Sequence, residues 1–174
     1  MKTRLFSSLL FVTAAVGGLT GCKEDSNNNT PSQTLEDRLV GEWTMTALFY
    51  DTEIPNPAVP GTTIPLSGNA DNVSGDFIVT QNPNEVDYTL IFSVTLPPPL
   101  VGGVPINIAR SGTWTVTGDE KRVIVEDASN GELILYDVLV NEPNRQVWAS
   151  EVPFSIPGTG LTLFSDIEFT LERQ

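Results

Sequence analysis

The stretch from Val86 to Leu96 constrains this chain more than any other. Val86, Tyr88, Leu90, Phe92, Val94 and Leu96 alternate with Asp87, Thr89, Ile91, Ser93 and Thr95. A period of two over that length sets one face of an extended strand in a core and the other in water, the mark of an antiparallel sheet. At the start of the domain Trp43, Met45, Ala47 and Phe49 are the larger apolar set against Glu42, Thr44 and Thr46, so the odd positions of 41–50 are expected to face inward. Further strands are expected at 75–81, 104–117, 121–126, 132–140, 145–152 and 161–173; with 41–50 and 86–96 they make eight. Only Leu35 to Leu39 reads as helical, with Thr34 as N-cap and Asp37 three residues on as a weak capping box. Polar turns at 82–85, 118–121 and 141–144 join neighbouring strands and favour an up-and-down meander. Closure of eight such strands into a barrel removes the unpaired edges, so an all-β up-and-down barrel is expected, with a two-sheet sandwich as the alternative.

Composition limits the chemistry. Histidine is absent and Cys22 is the single cysteine, which removes disulfides, His or Cys metal sites and the common nucleophilic triads and dyads together. Lys23 and Lys121 are the only lysines after Lys2, so a Ser-Lys nucleophile has little to work with. Asp137 and Glu151 are the carboxylates whose facing is undecided; Asp137 lies in a stretch, 132–140, that is apolar on both faces. No enzyme activity, metal or cofactor is expected. The chain has 9 basic and 22 acidic residues, and losing Lys2 and Arg4 with a leader would take the formal charge from −13 to −15. Nucleic acid is therefore excluded as a partner, because phosphate binding needs cationic clusters.

Lys2 and Arg4 precede an apolar run from Leu5 to Val16 and then Leu19-Thr20-Gly21-Cys22, a secretory signal too short to span a bilayer. This end resembles the bacterial lipobox. The resemblance implies cleavage before Cys22 and acylation of that residue, hence a signal peptide at 1–21, a flexible tether at 22–34 and a domain at 35–174. Residues 23–34 offer almost nothing to bury. Glu24-Asp25 is similar to the acidic export tag of surface lipoproteins in Bacteroidetes-type bacteria, a solvated spacer being the plain alternative. The expected address is the bacterial outer membrane, lipid-anchored, with surface exposure as the bolder expectation.

A helical turn followed by Leu39-Val40-Gly41-Glu42-Trp43 resembles the Gly-X-Trp opening of the lipocalins. Ser111-Gly112-Thr113-Trp114-Thr115-Val116, with Gly118-Asp119 and Val123-Ile124-Val125, is similar to the central hairpin of bacterial lipocalin-like lipoproteins. The resemblance covers most of 35–174. It implies a calyx for a small apolar ligand, with Gly41 and Trp43 as structural residues and Arg173, at the end of the last strand, packed over Trp43.

Arg110 shares the parity of Val104, Ile106, Ile108, Gly112 and Trp114, so a regular strand would drive it into the barrel. A buried guanidinium must pair, reach a rim or be turned outward by a bulge at Ser111-Gly112. The bulge or rim is preferred; otherwise Arg110, with inward-facing Tyr88, would anchor an acidic ligand head group. Asn69 to Asp76 groups several hard oxygens that calcium would accept, but without EF-hand spacing a polar turn is the better reading.

Three connections, 54–66, 97–105 and 153–160, are apolar and carry ten of the 13 prolines. In a meander all three leave one end of the barrel, so Ile64, Leu66, Leu100, Val101, Phe154 and Ile156 are expected to gather around a mouth there. The leading expectation is a small hydrophobic or amphipathic ligand in or at that mouth of a monomeric, membrane-anchored lipoprotein. The rival is a non-enzymatic interaction module whose loops dock an envelope protein. Large inward side chains such as Trp43, Phe49, Tyr88, Phe92, Trp114 and Phe169 favour the rival, because an eight-stranded barrel holds either its own side chains or one small ligand.

Overall fold

Alternating burial runs through most of the long strands, and the hydrogen-bonded neighbours follow chain order. The computed structural model describes residues 33–56, 58–97, 102–156 and 161–174, with Phe154, Ile156 and Leu161 as backbone alone. Helix α1 (Leu35–Leu39) leads into β1 (Gly41–Pro55), β2 (Thr63–Asn69), β3 (Asp71–Ser74), β4 (Asp76–Val79), β5 (Glu85–Leu96), β6 (Gly102–Val116), β7 (Arg122–Asp127), β8 (Leu133–Glu142), β9 (Arg145–Ile156) and β10 (Leu161–Arg173). β2, β3 and β4 are pieces of one broken strand between β1 and β5. Counted so, eight antiparallel positions form an up-and-down meander. Pairing of β10 with β1, from Trp43↔Arg173 to Thr52↔Ser165, closes it into a barrel and decides against the sandwich.

Three expectations need correction. First, β1 carries a bulge: Met45 faces Leu171, but Ala47 faces Thr170, so Thr46 is an extra residue. One extra residue in a period-two strand exchanges its faces. Beyond the bulge Leu48, Tyr50, Thr52 and Ile54 point inward, and Phe49 is 44% exposed on the outside. Second, 54–66 is mostly hairpin. β1 runs on to Pro55 and pairs β2 from Phe49↔Asn69 to Pro55↔Thr63, leaving only a short tip. Third, β6 has no bulge at Ser111-Gly112; its register with β5 is unbroken from Glu85↔Thr113 to Leu96↔Gly102. Gly112 answers to a different constraint, since a Cβ there would lie 1.9 Å from the Glu126 carbonyl oxygen of β7.

The lower half of the barrel is filled. Phe77, Tyr88, Tyr136, Trp148 and Phe169 pack ring on ring, Phe77 and Tyr88 stacked at 4.8 Å and Tyr136 edge-on to Phe169 at 5.9 Å. Such pairs add about 0.5–1.5 kcal/mol each beyond area burial. Helix α1 shuts this end. Thr34 caps it through a capping box with Asp37, Leu35 and Leu39 are buried, and the Trp43 indole N–H donates to the Leu39 carbonyl at 2.8 Å. The Arg173 guanidinium lies 4.5 Å from the centre of the Trp43 ring and donates to the carbonyls of Val40, Arg38 and Pro143. Gly41 makes room for it: its φ is +141°, and a Cβ would come within 2.7 Å of Arg173 Nη1.

Candidate functional site

The upper half is built differently because the strands differ in length. β6 has 15 residues and β9 has 12, whereas β7 between them has 6. β7 pairs β6 only from Gly112↔Asp127 downward, and β8 pairs β9 only from Asp137↔Ala149 downward. The β7–β8 turn, 128–132, is a polar connection at the same end as the three apolar ones, and it stops well below them. Above it, among the described residues, no strand covers β6 from Gly102 to Arg110 on that edge, nor β9 from Ser150 to Ile156. The Ser111 carbonyl accepts from Ala128 N on that side, so by the strand period Ala109, Asn107 and Pro105 turn their backbone groups to the open edge. Proline suits such an edge because it has no N–H to leave unpaired. Across the gap Ser150 Oγ donates to the Leu135 carbonyl at 2.8 Å where a ladder bond would otherwise lie.

The gap opens into a lateral cleft of about 490 Å³. Its walls include Ile108, Ile134, Val152 and Ile167, and Tyr88 and Tyr136 also line it. The two tyrosines are 2% and 1% exposed, with their hydroxyl oxygens 2.5 Å apart. Burial pushes both phenols above their ordinary range, so both stay protonated. One proton makes the bond between them; the other has no acceptor among the described residues. The floor therefore offers one hydrogen-bond donor beside the side chains of Ile108, Ile134 and Ile167.

Arg110 keeps its inward parity and stands at the cleft edge, directly opposite Tyr88. It pairs with Asp127 at 2.5 Å and Glu132 at 3.3 Å, its side chain 22% exposed. The guanidinium, helped by the Ser129 hydroxyl and amide, lowers the Asp127 carboxyl to about 2. Arg110 is thus a clamp on the β7–β8 turn. Arg122, the other cationic group of the cleft, pairs with Asp137. Asp137 and Glu151 both lie on the outer face, which removes them as an interior carboxylate pair.

The expected mouth residues divide. Ile64 and Leu66 lie on β2 and pack against or within the core. Leu100 and Val101 lie outside the described residues. Phe154 and Ile156 belong to β9, opposite Leu163 and Leu161 of β10, and their side chains also lie outside the described residues. Tyr88 and Arg110 do come together, at the cleft. The cleft was missed because its cause, one short hairpin among long ones, is marked only by the polar stretch 128–132. Cys22 lies outside the described residues, and Asn69 to Asp76 forms parts of β2, β3 and β4. Among the described residues no cluster of three or more potential metal ligands occurs.

No family model and no curated protein matches the sequence. Among solved structures, the S-type phycobiliprotein lyase CPES of Guillardia theta is similar with a TM-score of 0.38 and 11% identity, over 80% of this chain and 90% of that one.

Proposed function

We propose that the protein is a lipid-anchored envelope barrel that holds a small hydrophobic or amphipathic molecule in the lateral cleft, without catalysing a reaction. The observation that carries this reading is the open cavity of about 490 Å³, with Ile108, Ile134, Val152 and Ile167 on its inner wall, charged residues at its rim and a buried hydroxyl donor, beside a barrel centre filled by aromatic rings. Ligand sites typically have this size and combine apolar surface with polar groups that orient the ligand. The site is thus proposed at the side of the barrel rather than in an axial calyx. The anchor rests on Leu19-Thr20-Gly21-Cys22 behind its apolar leader. The functional unit on this reading is a monomer.

A second reading, an envelope interaction module, is favoured by Leu133, Leu135 and Leu139, which are 60%, 47% and 53% exposed on one face of β8. Titration of a neutral fluorescent probe, N-phenylnaphthylamine, separates the two. Saturable binding that is lost in Ile108→Trp, a partly exposed inward position where a larger side chain fills cleft space, supports the cleft. Binding unchanged by that substitution in a folded variant rejects it, and native mass spectrometry of protein from its own envelope would then look for a bound partner chain.

A further inference from the structure

Three carboxylates form a row beside the cleft. Asp51 of β1 is directly opposite Asp166 of β10, and Asp166 is directly opposite Glu151 of β9. All three are exposed on one outer face, and Asp166 and Glu151 line the cleft as well. Like charges placed directly across a sheet repel, and sequences ordinarily avoid them or interleave a cation. Here no cation of the described residues forms an ion pair with any of the three; the two arginines of the cleft are held by Asp127, Glu132 and Asp137. An adjoining depression continues the row to Glu53 and ends at Phe164, a residue that is 63% exposed. Carboxylates beside an exposed aromatic face are the elements that recognise an organic cation. The second, independent element is the cleft floor, where the hydrogen-bonded Tyr88–Tyr136 pair has one more buried hydroxyl proton than it has acceptors among the described residues.

We propose that the cleft selects cationic amphiphiles, with the alkyl tail on Ile108, Ile134 and Ile167, an acceptor oxygen reaching the tyrosine hydroxyls, and the positive head group beside Glu151 and Asp166. This rests on the cleft being the ligand site and reverses the less favoured alternative, in which Arg110 anchors an acidic head group, because Arg110 is already neutralised. The field at the rim is set by the carboxylates that remain.

Three probes sharing one tail test it: decanoylcholine, methyl decanoate and decanoate, titrated by calorimetry below their aggregation limits. Salt near 0.15 M screens distant surface charge. Decanoylcholine is expected to bind about tenfold more tightly than methyl decanoate, and decanoate more weakly than either, as adjacent charge of one sign dictates. Glu151→Gln with Asp166→Asn should remove most of the tenfold preference of decanoylcholine over methyl decanoate. A control with the same loss of charge at the closed end, Glu36→Gln with Glu42→Gln, should keep the preference. Equal binding of decanoate and decanoylcholine overturns the proposal, as does an equal loss in both variants, which would assign the preference to the general acidity of the surface. Binding of all three without a charge preference leaves the cleft as the ligand site and rejects only its selectivity. Binding of none rejects the cleft reading itself, and the inference with it.

Discussion

The two ends of this barrel are made from the same strands and do opposite things. At the closed end all eight positions are paired, α1 lies across the opening, and the interior is occupied by rings in contact. At the other end β1, β2, β5, β6, β9 and β10 continue while β7 and β8 turn back, so the wall has a notch and the notch has a cleft behind it. The contrast teaches that a filled barrel is not thereby a barrel without a site. Side chains exclude a ligand from the axis where the sheet is closed, and a difference in strand length reopens the interior from the side.

The comparison is broken most forcefully at the closed end. Phe77, in contact with Tyr88, Trp148 and Phe169, is fully buried. Phe77→Ala should cost about 3–5 kcal/mol in urea unfolding, as a large ring lost from a packed core does. Ile108→Trp at the cleft should leave the midpoint nearly unchanged, because its new atoms enter free space rather than a filled core. Equal destabilisation by the two would mean that the ends are packed alike.

A smaller loss is expected at the closure. Arg173→Ala removes the contact with Trp43 and three hydrogen bonds to carbonyls of α1, its C-cap and the β8–β9 turn. Its expected cost is about 1–3 kcal/mol, discounted for an exposed guanidinium. Gly41→Ala should cost a comparable amount, about 1–3 kcal/mol for a strained positive φ, before the clash with Arg173 is added.

These two effects mark what could be read in the chain beforehand. Gly41, Trp43 and Arg173 were legible because a resemblance supplied the pairing, and the long alternation of β5 was legible because a half-buried strand writes its burial residue by residue. The bulge at Thr46 was not. A one-residue insertion changes no composition, and it is fixed by the partner strand β10, more than a hundred residues away; it therefore sent Phe49 to the wrong face. The β1–β2 hairpin was hidden by prolines that sit on its edge and tip. Arg110 was legible as an inward cation, but its partners Asp127 and Glu132 were not, since only the position of the β7–β8 turn brings them to it.

That clamp gives a pH effect, smaller again. The Asp127 carboxyl is held at about 2, against an ordinary 3.8, so the folded state favours its charged form. The stabilisation from Asp127 is present above about pH 4 and is lost as pH falls through the folded value. Thermal midpoints between those limits should fall more steeply for the native chain than for Asp127→Asn, which starts lower and loses less. Parallel curves would mean that the pair does not hold the turn. The smallest effect is expected at Asp137→Asn, whose partner Arg122 is half exposed; an exposed ion pair is worth little, and no measurable change in midpoint is expected.

The most direct test of the central claim is where a bound probe touches the barrel. Methyl-labelled protein titrated with N-phenylnaphthylamine should show its largest chemical-shift changes at Ile108, Ile134, Val152 and Ile167, with Leu35 and Leu39 at the closed end unmoved. Changes concentrated at Leu35 and Leu39, or at Ile64 and Leu66 of the β1–β2 hairpin with the cleft isoleucines silent, would contradict a lateral site.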